Sequence, residues 1–230
     1  MGTAVVFAGG PVEGRHPAEA ALADLAPDLT VAVDSGLDLA LHLGWHADLV
    51  VGDMDSVSAA ALARAESAGS VVRRHPRDKE STDLELALEE VLTADVRRVV
   101  VVGSSSGRLD HLLGAAAVLS SPRWRTMEVD AWFGTAALHV VWHCRTLRGA
   151  PGDLVSLLAV SGPAVGVRTD GLRWPLRDET LEVGSTRGIS NELVGDRAEV
   201  AVREGALLAV VPEAASSPAR TAVLETGGVA

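Results

Sequence analysis

The sequence has very little cysteine and lysine. The first shortage limits the disulfides that the chain can form, and the second draws attention to a single residue. Cys144 is the only cysteine, so no disulfide can form within the chain, and this fits a reducing compartment. Lys79 is the only lysine, and arginine supplies every other basic side chain. Because a compact ammonium on a flexible stem differs chemically from a guanidinium, Lys79 is a candidate functional residue.

Long apolar runs and an excess of positive charge are absent as well. No apolar run approaches the ~18 residues of a membrane span, and the opening MGTAVVFAGGP predicts a strand, not a signal peptide. The chain has 31 acidic and 20 basic residues, a net charge of −11. This balance disfavours nonspecific binding to nucleic acid or to an anionic membrane. We expect a cytoplasmic protein in which a divalent cation mediates any contact with a polyphosphate.

Residues 1–136 alternate short valine-rich runs with helical patterns. Such alternation predicts a Rossmann-like α/β domain, with a parallel sheet covered by helices on both faces. The predicted strands are 4–8, 29–34, 47–53, 70–76, 97–103 and 127–133. The predicted helices are 16–26, 37–44, 56–69, 81–94 and 110–120. Sheets of this kind bind ligands at the carboxyl ends of their strands.

The pattern changes after residue 136. Residues 137–212 consist of short β-type runs separated by Gly, Pro and Asp turns, which predicts an antiparallel β-sandwich domain. Residues 213–230 are small and polar, which predicts a flexible tail.

Two carboxylates, Asp53 and Asp55, follow a predicted strand in VVGDMDS. In an extended segment, residues two apart point the same way, and paired hard oxygens suit Mg²⁺. A solvated turn is the alternative interpretation.

A second group of charged residues lies in RDKESTDLELAL, where Asp78, Lys79 and Asp83 precede or open a helix. Ser81 or Thr82 can cap this helix, and its dipole alone would favour an acid at Asp83. Because the only lysine of the chain lies between acidic residues in this stretch, a purely structural role for the stretch is disfavoured.

A third group follows the most hydrophobic strand, in GSSSGRLDHLL. Gly103 and Gly107 allow a tight loop whose N–H groups can bind an anion at a helix start. Arg108 suits a phosphate oxygen, and Asp110 suits a metal or an orienting role. Neither GxxxxGK[ST] nor GxGxxG is present, so any nucleotide is bound without those motifs.

Five segments together resemble the thiamine pyrophosphokinase family, in order, over about residues 4–212. They are VDSGLDLALHLGWHADLVVGDMDS, DKESTDLELAL, GSSSGRLDHLL, GLRWPL and RGISNE. The resemblance implies an ATP- and Mg²⁺-binding α/β domain, a thiamine-binding β-sandwich domain, and a homodimer with the substrate site near its interface. It also implies transfer of the pyrophosphoryl group of ATP to the hydroxyl of thiamine, with release of AMP.

The resemblance carries roles to individual residues by position. The implied metal ligands are Asp53, Asp55 and Asp83. The implied catalytic residues are Asp55, Lys79, Asp83 and Asp110. The implied ATP-binding residues are Asp34, Asp78, Lys79, Arg108 and His111. Gly9, Gly10 and Gly107 are predicted to bind ATP because they lie in glycine-rich loops after strands. The implied thiamine-binding residues are Asp110, Ser190 and Asn191.

Some features depart from the family or stay open. Ser104–Ser106 stand where the family is richer in glycine, and the thiamine-stacking partner is undetermined, with Trp174 a candidate. One alternative is a related pyrophosphokinase acting on another small alcohol, such as a hydroxymethylpterin. Another is a non-catalytic thiamine-binding module, which would be expected to have lost the metal acids. The pair His139 and His143 beside Cys144 lacks the second half of a zinc site.

Overall fold

The computed structural model describes residues 2–10, 16–105 and 108–214. Within these residues the chain forms five α-helices and fourteen β-strands. The helices are α1 Glu19–Leu22, α2 Gly36–His42, α3 Ala59–Ser67, α4 Asp83–Thr93 and α5 Leu109–Leu119. The first seven strands are β1 Thr3–Ala8, β2 Leu29–Val33, β3 Leu49–Gly52, β4 Val71–Arg74, β5 Arg98–Gly103, β6 Glu128–Phe133 and β7 Ala136–Val141. The others are β8 Cys144–Arg148, β9 Leu154–Leu158, β10 Ala164–Asp170, β11 Arg177–Leu181, β12 Asn191–Glu192, β13 Arg197–Ala201 and β14 Leu207–Val211.

Most of the described strands join one ten-stranded sheet, in the order β12-β9-β14-β7-β6-β5-β1-β2-β3-β4. Strands β1 to β6 pair in parallel, whereas β7, β14, β9 and β12 pair with their neighbours antiparallel. The chain order reverses between β1 and β5, and the crevice at such a switch point is a usual ligand site. The predicted order of parallel α/β elements followed by antiparallel strands is therefore confirmed in this coarse form.

Helices cover both faces of the parallel part because side chains alternate along each strand. Val5 and Phe7 of β1 lie in one core cluster with α1 and α2, whereas Val6 lies in another with α4 and α5. A smaller cluster joins α2 and α3 to β2 and β3. The two layers of helices leave the carboxyl ends of the strands free to carry polar side chains.

A second sheet, in the order β11-β10-β13-β8, packs against the antiparallel half of the first. Leu147 of β8 and Val200 of β13 share one buried cluster with Val155 and Leu207 of the first sheet. The first sheet also crosses residue 136 without a break, because β6 and β7 form a hairpin that pairs Ala131 with Leu138. The sequence does not predict this continuity, and the boundary at 136 remains a prediction.

Local signals in the sequence place several helix ends correctly. Ser58 Oγ accepts a hydrogen bond from the N–H of Ala61, and Thr82 Oγ1 accepts one from the N–H of Glu85, as expected of N-caps. The prediction of a helix over 16–26 is wrong in extent, since α1 has only four residues. One reason is that the His16 ring accepts the N–H of Ala18. Most of the predicted tail lies outside the described residues, although Ala214 is buried. None of the described helices is long and apolar enough to cross a membrane.

Candidate functional site

Polar side chains converge at the carboxyl ends of three neighbouring parallel strands. Asp34 follows β2, Asp53 follows β3, the loop carrying Lys79 follows β4, and Asp83 opens α4. Gly9 and Gly10 follow β1 on the same edge. A Cβ on Gly10, whose φ is 141°, would lie 2.4 Å from the Cβ of Ser104 after β5. The two glycine-containing strand ends therefore approach each other closely.

Asp34 lies at the centre of this edge in a strained setting. Its φ is 45°, and its Oδ1 accepts the N–H of Met54, whose φ is 63°, at 3.1 Å. A Cβ on Gly52, with φ at 147°, would lie 1.8 Å from Asp34 Oδ1, so only glycine fits there. Burial raises the pKa of Asp34 to about 6, with the nearby charges of Asp83 and Asp53 adding to it. Three acids are therefore close enough to repel one another.

The ammonium of Lys79 sits between two of these acids. Its Nζ lies 3.1 Å from Asp83 Oδ1 and 4.0 Å from Asp53 Oδ2, and it donates to the carbonyl of Pro76 at 3.2 Å. All three charged side chains are less than one-fifth exposed. Asp83 Oδ1 is buried and accepts no hydrogen bond, so its contact with Lys79 is an ion pair alone. The solitary lysine is thus the cation of this acid pair.

Asp55 has a different partner from Asp53. Asp55 Oδ2 lies 2.8 Å from Arg77 Nη2 on the exposed side of the site. The backbone N–H of Asp55 donates to Asp53 Oδ1 at 3.0 Å, and this bond lowers the pKa of Asp53. The expectation that both carboxylates point the same way assumed an extended segment. The left-handed conformation of Met54 removes that condition.

The fit of this site to Mg²⁺ can be judged from its donors. Across residues 2–10, 16–105 and 108–214, no group of three or more Asp, Glu, His or Cys side chains is placed to hold a metal ion. Asp53 and Asp83 nevertheless supply hard oxygens, one of them buried without a hydrogen bond, with an ammonium standing between them. Since Mg²⁺ in proteins usually takes one or two carboxylates and completes its shell with water and phosphate, these two residues fit it.

The start of α5 carries a further predicted pair. Arg108 Nη2 lies 2.5 Å from Asp110 Oδ2, and Arg108 Nε donates to Asp110 Oδ1 at 3.1 Å. This hydrogen bonding lowers the pKa of Asp110. Both side chains are exposed, as are Asp78 and His111. The predicted contact of Gly107 lies outside the described residues.

Two of the predicted thiamine residues, Ser190 and Asn191, lie at the far edge of the large sheet, whereas the third, Asp110, lies at the start of α5. Asn191 is buried in β12, and its side chain is occupied by backbone. Its Nδ2 donates to the carbonyl of Trp174 at 2.7 Å, and its Oδ1 accepts the N–H groups of Trp174 and Glu192 at 3.0 and 2.9 Å. Ser190 has a φ of 55°, and its N–H donates to Ser156 Oγ. Asn191 therefore holds the Trp174 backbone in place.

Trp174 presents an aromatic surface at this edge. Its side chain is 46% exposed, and the guanidinium carbon of Arg173 lies 4.9 Å from the ring centroid. Arg173 is in turn paired with Glu192 at 2.7 Å. The sequence indicates Trp174 only as a candidate, and nothing in it predicts the Asn191 contacts.

The two groups of predicted residues are not brought together within one chain. β12 and β3 are eight strand positions apart in the sheet. At about 4.8 Å per strand, the separation is roughly 38 Å before twist is considered. Ser190 and Asn191 therefore lie far from Asp53 and Lys79 of the same chain.

A buried charge network near the middle of the sheet has a structural role. The Asp130 carboxylate is fully buried, accepts His139 Nδ1–H at 2.8 Å, and pairs with Arg98 at 3.1 Å and with Arg145. Burial opposes ionisation, but Arg145, His139 and Arg98 lower the pKa of Asp130. His139 is thus engaged with a carboxylate.

Comparisons with known proteins identify the family and the fold. The family models for the "Thiamin pyrophosphokinase, catalytic domain" and the "vitamin B1 binding domain" match residues 25–130 and 145–207. Thiamine pyrophosphokinase of Bacillus subtilis (strain 168) is 25% identical over 227 residues, covering 91% of this chain and 98% of that protein. The crystal structure of thiamin pyrophosphokinase from Geobacillus thermodenitrificans has a TM-score of 0.73 at 27% identity, covering 91% and 96%. The yeast thiamin pyrophosphokinase structure, at 15% identity and a TM-score of 0.69, covers 91% and 86% and shares the fold.

Proposed function

Because this chain belongs to the thiamine pyrophosphokinase family, we propose that it transfers the pyrophosphoryl group of ATP to the hydroxyl of thiamine and releases AMP. The chain is a transferase that acts on thiamine with ATP. The observation that carries the proposal is the convergence of Asp34, Asp53 and Asp83 around Lys79 at the strand ends. Phosphoryl-type transfer depends mainly on positioning and charge neutralisation, which such a cluster supplies.

The acid pair would bind Mg²⁺. Asp53 and Asp83 are the proposed ligands, and Asp55 can join them once it leaves Arg77. When bound, the ion neutralises phosphate oxygens and orients the group to be transferred. Asp34, held by the Met54 N–H, would orient the shell around it.

The remaining predicted residues surround the polyphosphate and the hydroxyl. Lys79 and Arg108 would take the charge of the transferred group, with backbone N–H groups at Gly9, Gly10 and Gly107 near phosphate. Asp78 and His111 are proposed to contact ATP at the exposed rim. Asp110 pairs with Arg108 here. Its proposed role is to orient the thiamine hydroxyl when Arg108 turns to a phosphate oxygen.

We propose a homodimer whose substrate site lies near the interface. Residues 1–136 would provide the catalytic part and residues 137–212 the thiamine-binding part. The separation of roughly 38 Å between β12 and β3 supports a site completed by Ser190 and Asn191 from a second copy. Exposed Leu109 and Leu113 on α5 supply apolar surface beside Asp110, and such surface often marks an interface. A cytoplasmic location is proposed from the single cysteine.

The reaction class is tested by incubating the protein with ATP, Mg²⁺ and thiamine. We expect thiamine diphosphate and AMP in equal amounts, and no transfer to a hydroxymethylpterin offered in place of thiamine. Formation of ADP and a monophosphate ester would overturn the proposal.

The metal assignment is tested by Asp53→Asn and Asp55→Asn at saturating Mg²⁺. We expect turnover to fall at least about tenfold in each, because charge neutralisation at the phosphates is lost. Asp95→Asn is the matched control, since Asp95 is exposed and distant from the site. Turnover within a few-fold of wild type for the first two variants would contradict the assignment.

A further inference from the structure

Lys79 occupies the position between Asp53 and Asp83 that a metal ion would share. We propose that Lys79 is the resident counter-ion of this acid pair, and that a divalent cation must displace it to bind both carboxylates. The cation and the nucleotide therefore bind cooperatively, because the nucleotide phosphates receive the displaced ammonium. This inference rests on the proposed function for the identity of the nucleotide.

The geometry favours displacement over a permanent ion pair. Lys79 Nζ is 3.1 Å from Asp83 Oδ1, yet that oxygen accepts no hydrogen bond, and Asp53 Oδ2 is 4.0 Å away. The well-directed contact of Nζ is with the neutral carbonyl of Pro76 at 3.2 Å. Ion pairs without a hydrogen bond are the weaker kind, so these acids hold the ammonium less firmly than a hydrogen-bonded pair would. The four-carbon stem of lysine allows it to move without the backbone.

The electrostatic setting requires the displacement. A dication and an ammonium cannot both lie within 3–4 Å of the same carboxylates without strong mutual repulsion. Asp53, Asp83 and Lys79 are mostly buried, so solvent screens that repulsion only in part. A cation that binds without nucleotide must leave the ammonium without its acidic partners. A phosphate nearby removes that penalty, and by linkage each ligand must raise the affinity for the other by the same factor.

The same loop contains a matched exposed pair. Arg77 neutralises Asp55 on the solvent side, with side chains 83% and 44% exposed. Exposed pairs contribute little energy, so we assign the coupling to Lys79 and not to Arg77. A suitable control for loss of one positive charge is Arg74 at the end of β4, which pairs with Glu66 of α3.

The test measures cation binding directly. Mn²⁺ is titrated into wild type, Lys79→Met and Arg74→Gln, and free Mn²⁺ is followed by electron paramagnetic resonance. Each titration is done with and without α,β-methylene-ATP, which is not cleaved at the bond that pyrophosphoryl transfer breaks. A protein-free titration gives the Mn²⁺ that the analogue binds by itself, and this amount is subtracted. In wild type the analogue should raise Mn²⁺ affinity at least about fivefold, within the usual range of coupling.

The variants separate the outcomes. Lys79→Met should bind Mn²⁺ alone about three- to tenfold more tightly than wild type, the range expected for removing one partly screened charge. Its nucleotide effect should be at least about threefold smaller than that of wild type, because only the direct contact between phosphate and cation remains. Arg74→Gln should match wild type in both measurements. Lys79→Arg, which keeps the charge, should bind Mn²⁺ alone as weakly as wild type.

Two results would overturn the inference. One is a Lys79→Met protein that binds Mn²⁺ alone no better than wild type, checked with Lys79→Gln if the first variant does not fold. The other is a Lys79→Met protein in which the nucleotide raises Mn²⁺ affinity by as much as it does in wild type. Failure of the proposed function has a separate signature, which is the absence of thiamine diphosphate from the wild-type reaction whatever the Mn²⁺ titrations give.

Discussion

Replacing Gly52 by alanine should displace the Asp34 carboxylate while leaving every charge in place. The added Cβ would lie 1.8 Å from Asp34 Oδ1, whereas Cβ contacts essentially never fall under 3.0 Å, so the oxygen must move by at least 1.2 Å. The hydrogen bond from Met54 to that oxygen, now 3.1 Å, would be lost at about 1 kcal/mol. An alanine with φ near 147° adds about 1–3 kcal/mol of backbone strain.

The matched control is Gly44→Ala. Gly44 also has a positive φ, 77°, but a Cβ there meets nothing within 4 Å. The free energy of unfolding of Gly44→Ala should fall only by the cost of backbone strain at a positive φ, about 1–2 kcal/mol. Both variants are followed by urea unfolding and by AMP release in the presence of ATP and thiamine.

Gly52→Ala and Gly44→Ala should differ more in kcat/KM than in free energy of unfolding. A displacement of about 1 Å at a reacting site can lower the rate by about 100-fold, so we expect that loss of kcat/KM for Gly52→Ala. Gly44→Ala should remain within about threefold of wild type, as its site is unchanged. If Gly52→Ala keeps more than a third of the activity of Gly44→Ala, the position of Asp34 does not matter and the reasoning is refuted.

Three other predictions use different parts of the molecule. The contribution of Asp34 to the free energy of unfolding should fall as pH rises from about 4 to 6, because folding raises the pKa of Asp34 to about 6 and the folded state holds the proton more tightly. Asp34→Asn should remove that slope, about 1 kcal/mol after solvent screening, in urea titrations at both pH values. Asp130→Asn should destabilise the protein by about 3–5 kcal/mol, because it removes the fully buried carboxylate that pairs with Arg98 and Arg145. Exposed Asp95→Asn should cost under about 0.5 kcal/mol, and equal losses in thermal unfolding would contradict this. Asn191→Ala, which releases Trp174, should raise the KM for thiamine about tenfold while that for ATP changes less than about twofold, and a matching rise in both would disprove the positioning role.

Local chemistry explains most of what could be predicted from the sequence. The caps at Ser58 and Thr82 lie where short polar side chains precede helical patterns, and the valine-rich runs became the buried parallel strands. These features depend on residues close in sequence. The acids after β2 and β3 could be placed on one edge because parallel strands end together.

Features that depend on distant contacts could not be predicted. Met54 takes a left-handed conformation because it donates to Asp34, which precedes it by 20 residues, and nothing in GDMDS signals it. Lys79 was recognisable as unusual, but its place between Asp53 and Asp83 follows from how β3 and α4 pack. The pairing of β14 with β7 joins residues about seventy positions apart, from Leu207 with Val141 to Val211 with Ala137, so the continuous sheet has no signature in the local pattern.

The uninterrupted run of backbone hydrogen bonds through β6 and β7 has a mechanical consequence. Two domains joined by a flexible linker can rotate relative to each other. Here, a rotation about residue 136 would break the four paired positions between β6 and β7. The protein should unfold in a single calorimetric transition. Removing either half would expose an unpaired strand edge, which favours aggregation. Any gating during turnover must then come from side chains, surface loops or a neighbouring subunit.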